Sequence, residues 1–207
     1  MNYAVNVEHN QTQQMKITPR KRNLKHTLLY VEQGLVLVRL GKIEYAVEAG
    51  QSWWLPLDCL TSLTYMPDTR YSQIDLSVRL QLDLSHQAGQ VHLSPLAHEA
   101  LLRLRDLQRN EPLFEPLSAI LKYEATTFQP QLTESSLTSA ISQWRPTSET
   151  SDLSTNQSLT AELLLALRIR EAYKLEQSGQ KPLAIAEQLF QGNTEQYQQL
   201  KQLLLGC

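Results

Sequence analysis

The sequence predicts an α+β chain: an N-terminal antiparallel β-barrel or sandwich, then helices, then a closing helix-turn-helix. Three observations predict it. Between residues 26 and 93, short β-prone runs recur with turn residues between them, among them Gly34, Gly41-Lys42 and Gly50-Gln51. From Ser94 onward the apolar spacing changes from alternation to a helical period. Near the end, Gln191-Gly192-Asn193 separates two short helical patterns.

The elements follow in order. Residues 1–25 read as a polar, loosely ordered arm with five basic residues (Lys16, Arg20, Lys21, Arg22, Lys25) against Glu8. The arm is either solvated or docks on a partner domain or on phosphates. Residues 26–93 form the β domain. Its expected strands are Thr27–Val31, Leu35–Leu40, Ile43–Val47, a strand end at Trp53-Trp54-Leu55 before Pro56, Leu63–Met66, and Ile74–Leu80. In the last of these Ile74, Leu76, Val78 and Leu80 alternate with polar residues, which predicts one buried and one wet face.

Residues 94–130 read as a helical dimerisation element. Ser94-Pro95 suits the start of a helix carrying Leu96, Ala100, Leu101, Leu104 and Leu107 on one face, with Pro112 as its stop. A second helix, Pro116–Thr126, turns Leu117, Ile120, Leu121 and Ala125 inward. Such a pair on a small barrel leaves a stripe for a second copy to cover, so a homodimer is expected. Residues 131–158 are a Ser/Thr-rich linker, with fourteen Ser/Thr between 131 and 160. Within it Leu132, Leu137, Ile141 and Trp144 permit one short helix up to Trp144, and Arg145–Ser158 reads as flexible. Residues 159–207 are helical: Leu159–Gln177 capped by Thr160 and ended by Gly179, Leu183–Phe190 opened by Pro182, and a helix from Thr194 to about Leu205 stopped by Gly206.

Composition narrows the functional classes. The chain has 207 residues, with 19 Lys and Arg against 21 Asp and Glu. That balance argues against a polybasic nucleic-acid coat and against an acidic disordered tail. No apolar run approaches the roughly 20 residues of a membrane span, and the opening residues lack the long apolar stretch of a secretory signal. The expectation is a soluble, cytoplasmic chain without a membrane partner. Cys59 reads as a small core hydrophobe and Cys207 as a free terminal thiol, with no disulfide framework or zinc cluster between them.

The strand region Thr27–Leu84 contains no His; His26 stands at its edge, and His86, His92 and His98 lie beyond it. A metal centre on adjacent strands is therefore disfavoured, and no cofactor is expected. No Gly-rich phosphate loop, Gly-x-Ser-x-Gly elbow or His-Glu-x-x-His pattern is present, so nothing in the sequence speaks for catalysis. An apolar barrel interior with a few polar groups suits a small-molecule effector. Tyr30, Val36, Val38, Tyr45, Trp53, Tyr65 and Ile74 are the candidate lining, or else simply core. Arg39 and Arg79 face solvent, or pair with a ligand carboxylate.

Arg168-Ile-Arg-Glu-Ala172, Leu175, Gly179, Leu183, Ile185-Ala186, Leu189, Tyr197 and Gly206 resemble the second helix-turn-helix of AraC/XylS-type transcription regulators. In that family an Arg-rich helix precedes the turn, an aromatic follows the Ala by eleven residues and a Gly by twenty, and these intervals hold here. Leu28–Leu80 is similar to the cupin-like effector barrel that precedes the DNA-binding part in many members. The resemblance implies a regulator with a metal-free, cupin-like sensor. The chain departs from the family pattern in three places. Only the second helix-turn-helix is legible, Phe190-Gln191 stands where Gly-aromatic is usual, and Lys201 replaces a late aromatic.

If the last helix enters double-stranded DNA, Asn193, Thr194, Gln196 and Gln199 suit base edges, and Lys201 suits a phosphate. Residues 160–207 hold five basic and five acidic residues, so few phosphates would be neutralised. Without DNA, the same helix serves dimerisation or a protein contact, in an adaptor or antagonist derived from such a regulator.

Overall fold

The computed structural model describes residues 4–146 and 159–206. Its strands are β1 (Val5–Thr12), β2 (Lys16–Ile17), β3 (Lys21–Arg22), β4 (His26–Gln33), β5 (Leu35–Leu40), β6 (Ile43–Glu48), β7 (Ser52–Leu55), β8 (Leu60–Tyr65), β9 (Thr69–Leu76) and β10 (Gly89–Val91). One antiparallel sheet runs β1-β9-β4-β7-β10; the other runs β2-β8-β5-β6, with β3 also on β8. The helices are α1 (Pro95–Leu104), α2 (Phe114–Ala125), α3 (Ser136–Gln143), α4 (Ala161–Gln177), α5 (Pro182–Leu189) and α6 (Thr194–Leu205).

Strand composition explains the layering. Successive side chains of a strand point to opposite faces, and β4 is apolar on both. Leu29 and Val31 pack between the sheets with Val36, Val38, Val47 and Trp53, whereas Leu28 and Tyr30 pack outward against α1 and α2. The second sheet does the same: Leu37 and Ala46 face outward into a cluster with α3, α4, α5 and α6. Helices therefore cover both flanks of the sandwich. The exposed edge of β6 is met by α3, where the Ala46 amide donates to the Thr138 hydroxyl at 3.0 Å.

Several expectations need correction. The polar arm is β-structure: β1 pairs with β9 along its whole length, and β2 and β3 pair with β8. Its polarity misleads because only one face of β1, with Val5 and Val7, packs on apolar neighbours. The other face, Glu8 and Asn10, lines a polar cavity. The strand expected at Ile74–Leu80 begins at Thr69 and stops at Leu76, leaving Val78 exposed. Its partners end there, at Val5 and His26, so no ladder remains to continue it. Three-residue β10 carried no readable pattern; the Gln90 amide is held by the Gln131 carbonyl at 2.8 Å. Gly34, at φ 84, brings the β4–β5 turn so close to Thr69 that a Cβ would stand 2.6 Å from its hydroxyl.

Helix α1 is capped by Ser94 as expected, but it ends at Leu104, well before Pro112. Beyond it Arg109 donates to the Val5 carbonyl and the Asn6 side chain, drawing the chain back onto β1. Leu96 is exposed rather than inward; the buried stripe is Ala97, Ala100, Leu101 and Leu104. That stripe and Leu121 and Ala125 of α2 are covered by the first sheet of the same chain. The apolar face on which a homodimer was expected is thus already buried. The linker expected over 131–158 is in its first half packed structure, because α3 buries Thr138 and Ile141, and Trp144 just after it, against the second sheet; 147–158 and Cys207 lie outside the described residues.

The covered stripe makes a direct prediction. Leu104→Ala should lower unfolding free energy by about 2–5 kcal/mol. Its sedimentation behaviour should match the wild type; urea denaturation and sedimentation velocity check the two halves.

Candidate functional site

The C-terminal block is built around Tyr197. Its fully buried ring stacks on Phe190 at 5.2 Å and sits in one cluster with Leu167, Ala172, Ile185 and Leu189. Ala186 is also fully buried, the close helix approach for which a small residue is needed. The turn between α5 and α6 places Gln191 at φ 53 and Gly192 at φ 81. Asn193 then caps α6, its side-chain oxygen accepting from the Gln196 amide at 2.9 Å. At the far end Gly206 terminates α6 in the left-handed conformation.

The five candidate DNA-reading residues do not share one role. Gln196 and Gln199 are exposed with free side chains, three residues apart on one helix face. Asn193 uses its oxygen for the cap, and Thr194 is half-buried. Lys201, expected on a phosphate, is instead 14% exposed and lies 2.8 Å from a carboxylate oxygen of Glu176. The Tyr197 hydroxyl donates to the same carboxylate at 3.1 Å. The helical period explains the displacement: Lys201 lies four residues beyond Tyr197, on the same inward side. The hydrogen bond from Lys201, with help from Tyr197 and against some burial, holds the Glu176 carboxyl below its ordinary range.

The same helix is tied to the barrel. The Met15 amide donates to the Leu204 carbonyl at 2.6 Å, and Gln14 donates to the Gln202 and Leu203 carbonyls. Met15 precedes β2, and β2 forms one wall of a cavity of about 240 Å³ between the two sheets. Lys16, Lys21 and Glu8 supply its charge; Asn10, Asn23 and Gln73 add polar ends, with Tyr65 and Tyr71 as its aromatic wall. The two tyrosine rings stack at 4.2 Å, and the Lys16 ammonium lies 5.9 Å from the Tyr65 ring centroid. Neither lysine has an ion-pair partner among the described residues.

Of the expected pocket lining, only Tyr65 borders this cavity. Val36, Val38, Tyr45 and Trp53 pack inside the barrel as core. Tyr30 and Ile74 face the other way, into the α1–α2 layer, where the Tyr30 hydroxyl meets His98 Nε2 at 2.9 Å. The alternation at Ile74–Leu80 is legible and β4 is apolar on both faces, but which phase faces inward depends on register. The lysines went unassigned because the strands that carry them have only two residues each. Their one signal was the basic cluster in residues 1–25.

Among the described residues no three His, Cys, Asp or Glu side chains are grouped to hold a metal. A Ser–His–Glu cluster does exist on the outer edge of the first sheet. Ser72 donates to Glu32 at 2.8 Å and lies 2.7 Å from His9 Nδ1. A hydroxyl has one proton, so Nδ1 is the donor to Ser72. Ser72 is fully buried, which makes this a cross-strand brace and not a nucleophile.

No protein-family model matches the chain, and no curated protein matches it. Among solved structures, a cupin superfamily protein from Desulfitobacterium hafniense is similar at 12% identity and TM-score 0.35, over 37% of this chain and 71% of that one. ToxT from Vibrio cholerae is similar at 14% identity and TM-score 0.39, over 98% of this chain and 94% of that one. A second ToxT structure, bound to (E)-4-(8-methylnaphthalen-1-yl)but-3-enoic acid, is similar at 13% identity and TM-score 0.36, over 98% and 95%. The two antiparallel sheets with their flanking helices place the chain in the α+β class.

Two outcomes are expected for the Tyr197 core. Tyr197→Ala should cost about 3–5 kcal/mol of stability. Because the Glu176 carboxyl is held below its ordinary 4.5, its contribution is present above that value and lost as the pH falls through the folded one. Stability measured by urea denaturation from pH about 6 to about 3 should therefore fall less steeply in Glu176→Gln than in the wild type.

Proposed function

We propose that this chain is an AraC-like transcription regulator, non-catalytic and metal-free. In it the exposed face of α6 reads double-stranded DNA and the cavity between the sheets takes a small effector. One observation carries the DNA half: Gln196 and Gln199 stand free on one face of a helix whose opposite face is anchored through Tyr197. Glutamine pairs with adenine in the major groove, and an anchored helix keeps its reading face in register. Lys16 and Lys21 beside an aromatic wall favour an effector with an anionic group on a small apolar body. Such an effector would act on α6 through the adjacent Met15–Leu204 bond.

A second reading is favoured by Lys201. With that ammonium held by Glu176, α6 offers little positive charge to phosphates, as an adaptor that contacts protein would. Fluorescence anisotropy on the duplex upstream of its own gene, over a salt series, separates the two. The regulator requires sequence preference at low salt with a shallow salt slope. Gln196→Ala and Gln199→Ala should each fold normally and lose about 1–3 kcal/mol of discrimination. Binding without preference, or glutamine variants that bind as the wild type does, would transfer α6 to the adaptor role.

A further inference from the structure

A second cleft, of about 330 Å³, lies outside the barrel where the β5–β6 hairpin meets α3 and α4. Its walls hold Arg39, Lys42, Arg145, Arg170 and Lys174 against Glu44 and Glu171. Arg170 is 3% exposed, and only one arm of its guanidinium is used, at 2.7 Å from Glu44. Its Nε and Nη1 have no partner among the described residues. Three further donors on the same walls are buried without a partner among them: Trp144 Nε1, Ser142 Oγ and Arg39 Nε.

Native proteins satisfy nearly all buried donors, so orphaned donors on residues that line one cleft call for an acceptor that the described residues do not provide. The charge agrees. Glu44 is shared between Arg170 and, at 4.0 Å, Lys174, while Glu171 lies 3.4 Å from Lys174. Arg39 and Lys42 have no ion-pair partner among the described residues. Burial first, and then the Arg170 guanidinium, lower the Lys174 ammonium below its ordinary range against the pull of the two carboxylates. Five cationic side chains on the walls of the cleft thus face two carboxylates.

We infer that this cleft binds the oxyanion group, carboxylate or phosphate, of a small molecule. Arg170 Nε and Nη1, the donors that Glu44 leaves over, lie on different edges of the guanidinium and each donates singly to the oxyanion. The Trp144 indole N–H, Ser142 and Arg39 complete a donor set around it. A guanidinium buried this deeply is reached by a small ligand and not by the phosphates of a duplex. The assignment is independent of whether α6 reads DNA.

The test is thermal unfolding of the full chain, with tryptophan fluorescence, in sodium phosphate and in sodium succinate, each against sodium chloride of equal ionic strength. One oxyanion should raise the melting temperature saturably and change the fluorescence. Which of the two does so names the headgroup. Trp144→Phe removes the N–H and leaves an aromatic ring at the site; Arg39→Gln removes the Nε donor. Each should weaken the apparent affinity about tenfold or more, read against its own melting temperature without ligand. Arg170→Lys, which removes the planar guanidinium and both of its free donors, should abolish the response. The assignment is overturned if neither salt exceeds chloride or if the variants respond as the wild type. Competition by a random-sequence duplex would also overturn it, in favour of a nucleic-acid surface.

Discussion

Strands β4 and β7 carry large apolar side chains on both faces: Leu29 and Trp53 inward, Leu28 and Trp54 outward. A sheet so built cannot leave either face in water, because each exposed apolar side chain forgoes about 1.5–3 kcal/mol of burial. The α1–α2 pair answers that demand on one flank. Leu37 and Ala46 pose the same demand on the other sheet, and α3 to α6 answer it. The position of every C-terminal helix follows from this two-sided burial, and so does the burial of stripes that otherwise suggest a partner.

Packing the C-terminal helices on the outside of the second sheet brings polar groups into contact across the whole chain. Glu44 on β6 meets Arg170 on α4, and Gln14 and Met15 before β2 meet the last turn of α6. Glu44 meets one arm of Arg170 and leaves Nε and Nη1 over; an unsatisfied buried donor costs about 1–3 kcal/mol, and more when charged. The Met15–Leu204 bond has a different consequence. Together with the Gln14 side chain it ties the segment before β2 to the last turn of α6.

Charge on α6 illustrates how a residue type can mislead. Lys201 shares a face with Tyr197, so the ammonium is directed to Glu176. The side chains left outward are uncharged amides apart from Glu195, and Leu203 is 67% exposed among them. The helix is thus suited to short-range hydrogen bonding far more than to long-range attraction.

By itself the sequence determined the local elements wherever local chemistry dominates. Ser94-Pro95, Thr160, Gly179, Pro182 and Gly206 mark helix ends through caps and backbone conformation, and the structure has ends at each. Strands β5 and β6 were legible because Gly41-Lys42 joins two apolar runs as a hairpin. What only the tertiary structure decided was long-range. Strand β1 exists because β9 pairs with it more than fifty residues away. The phase of β4 and β9, which sends Tyr30 and Ile74 outward, is set by which neighbours they pair with. The convergence of Arg39, Trp144 and Arg170 on one cleft joins three segments far apart in the chain. Local pattern encodes period and caps, while register and convergence arise only when distant segments are paired, and both candidate ligand sites are of that second kind.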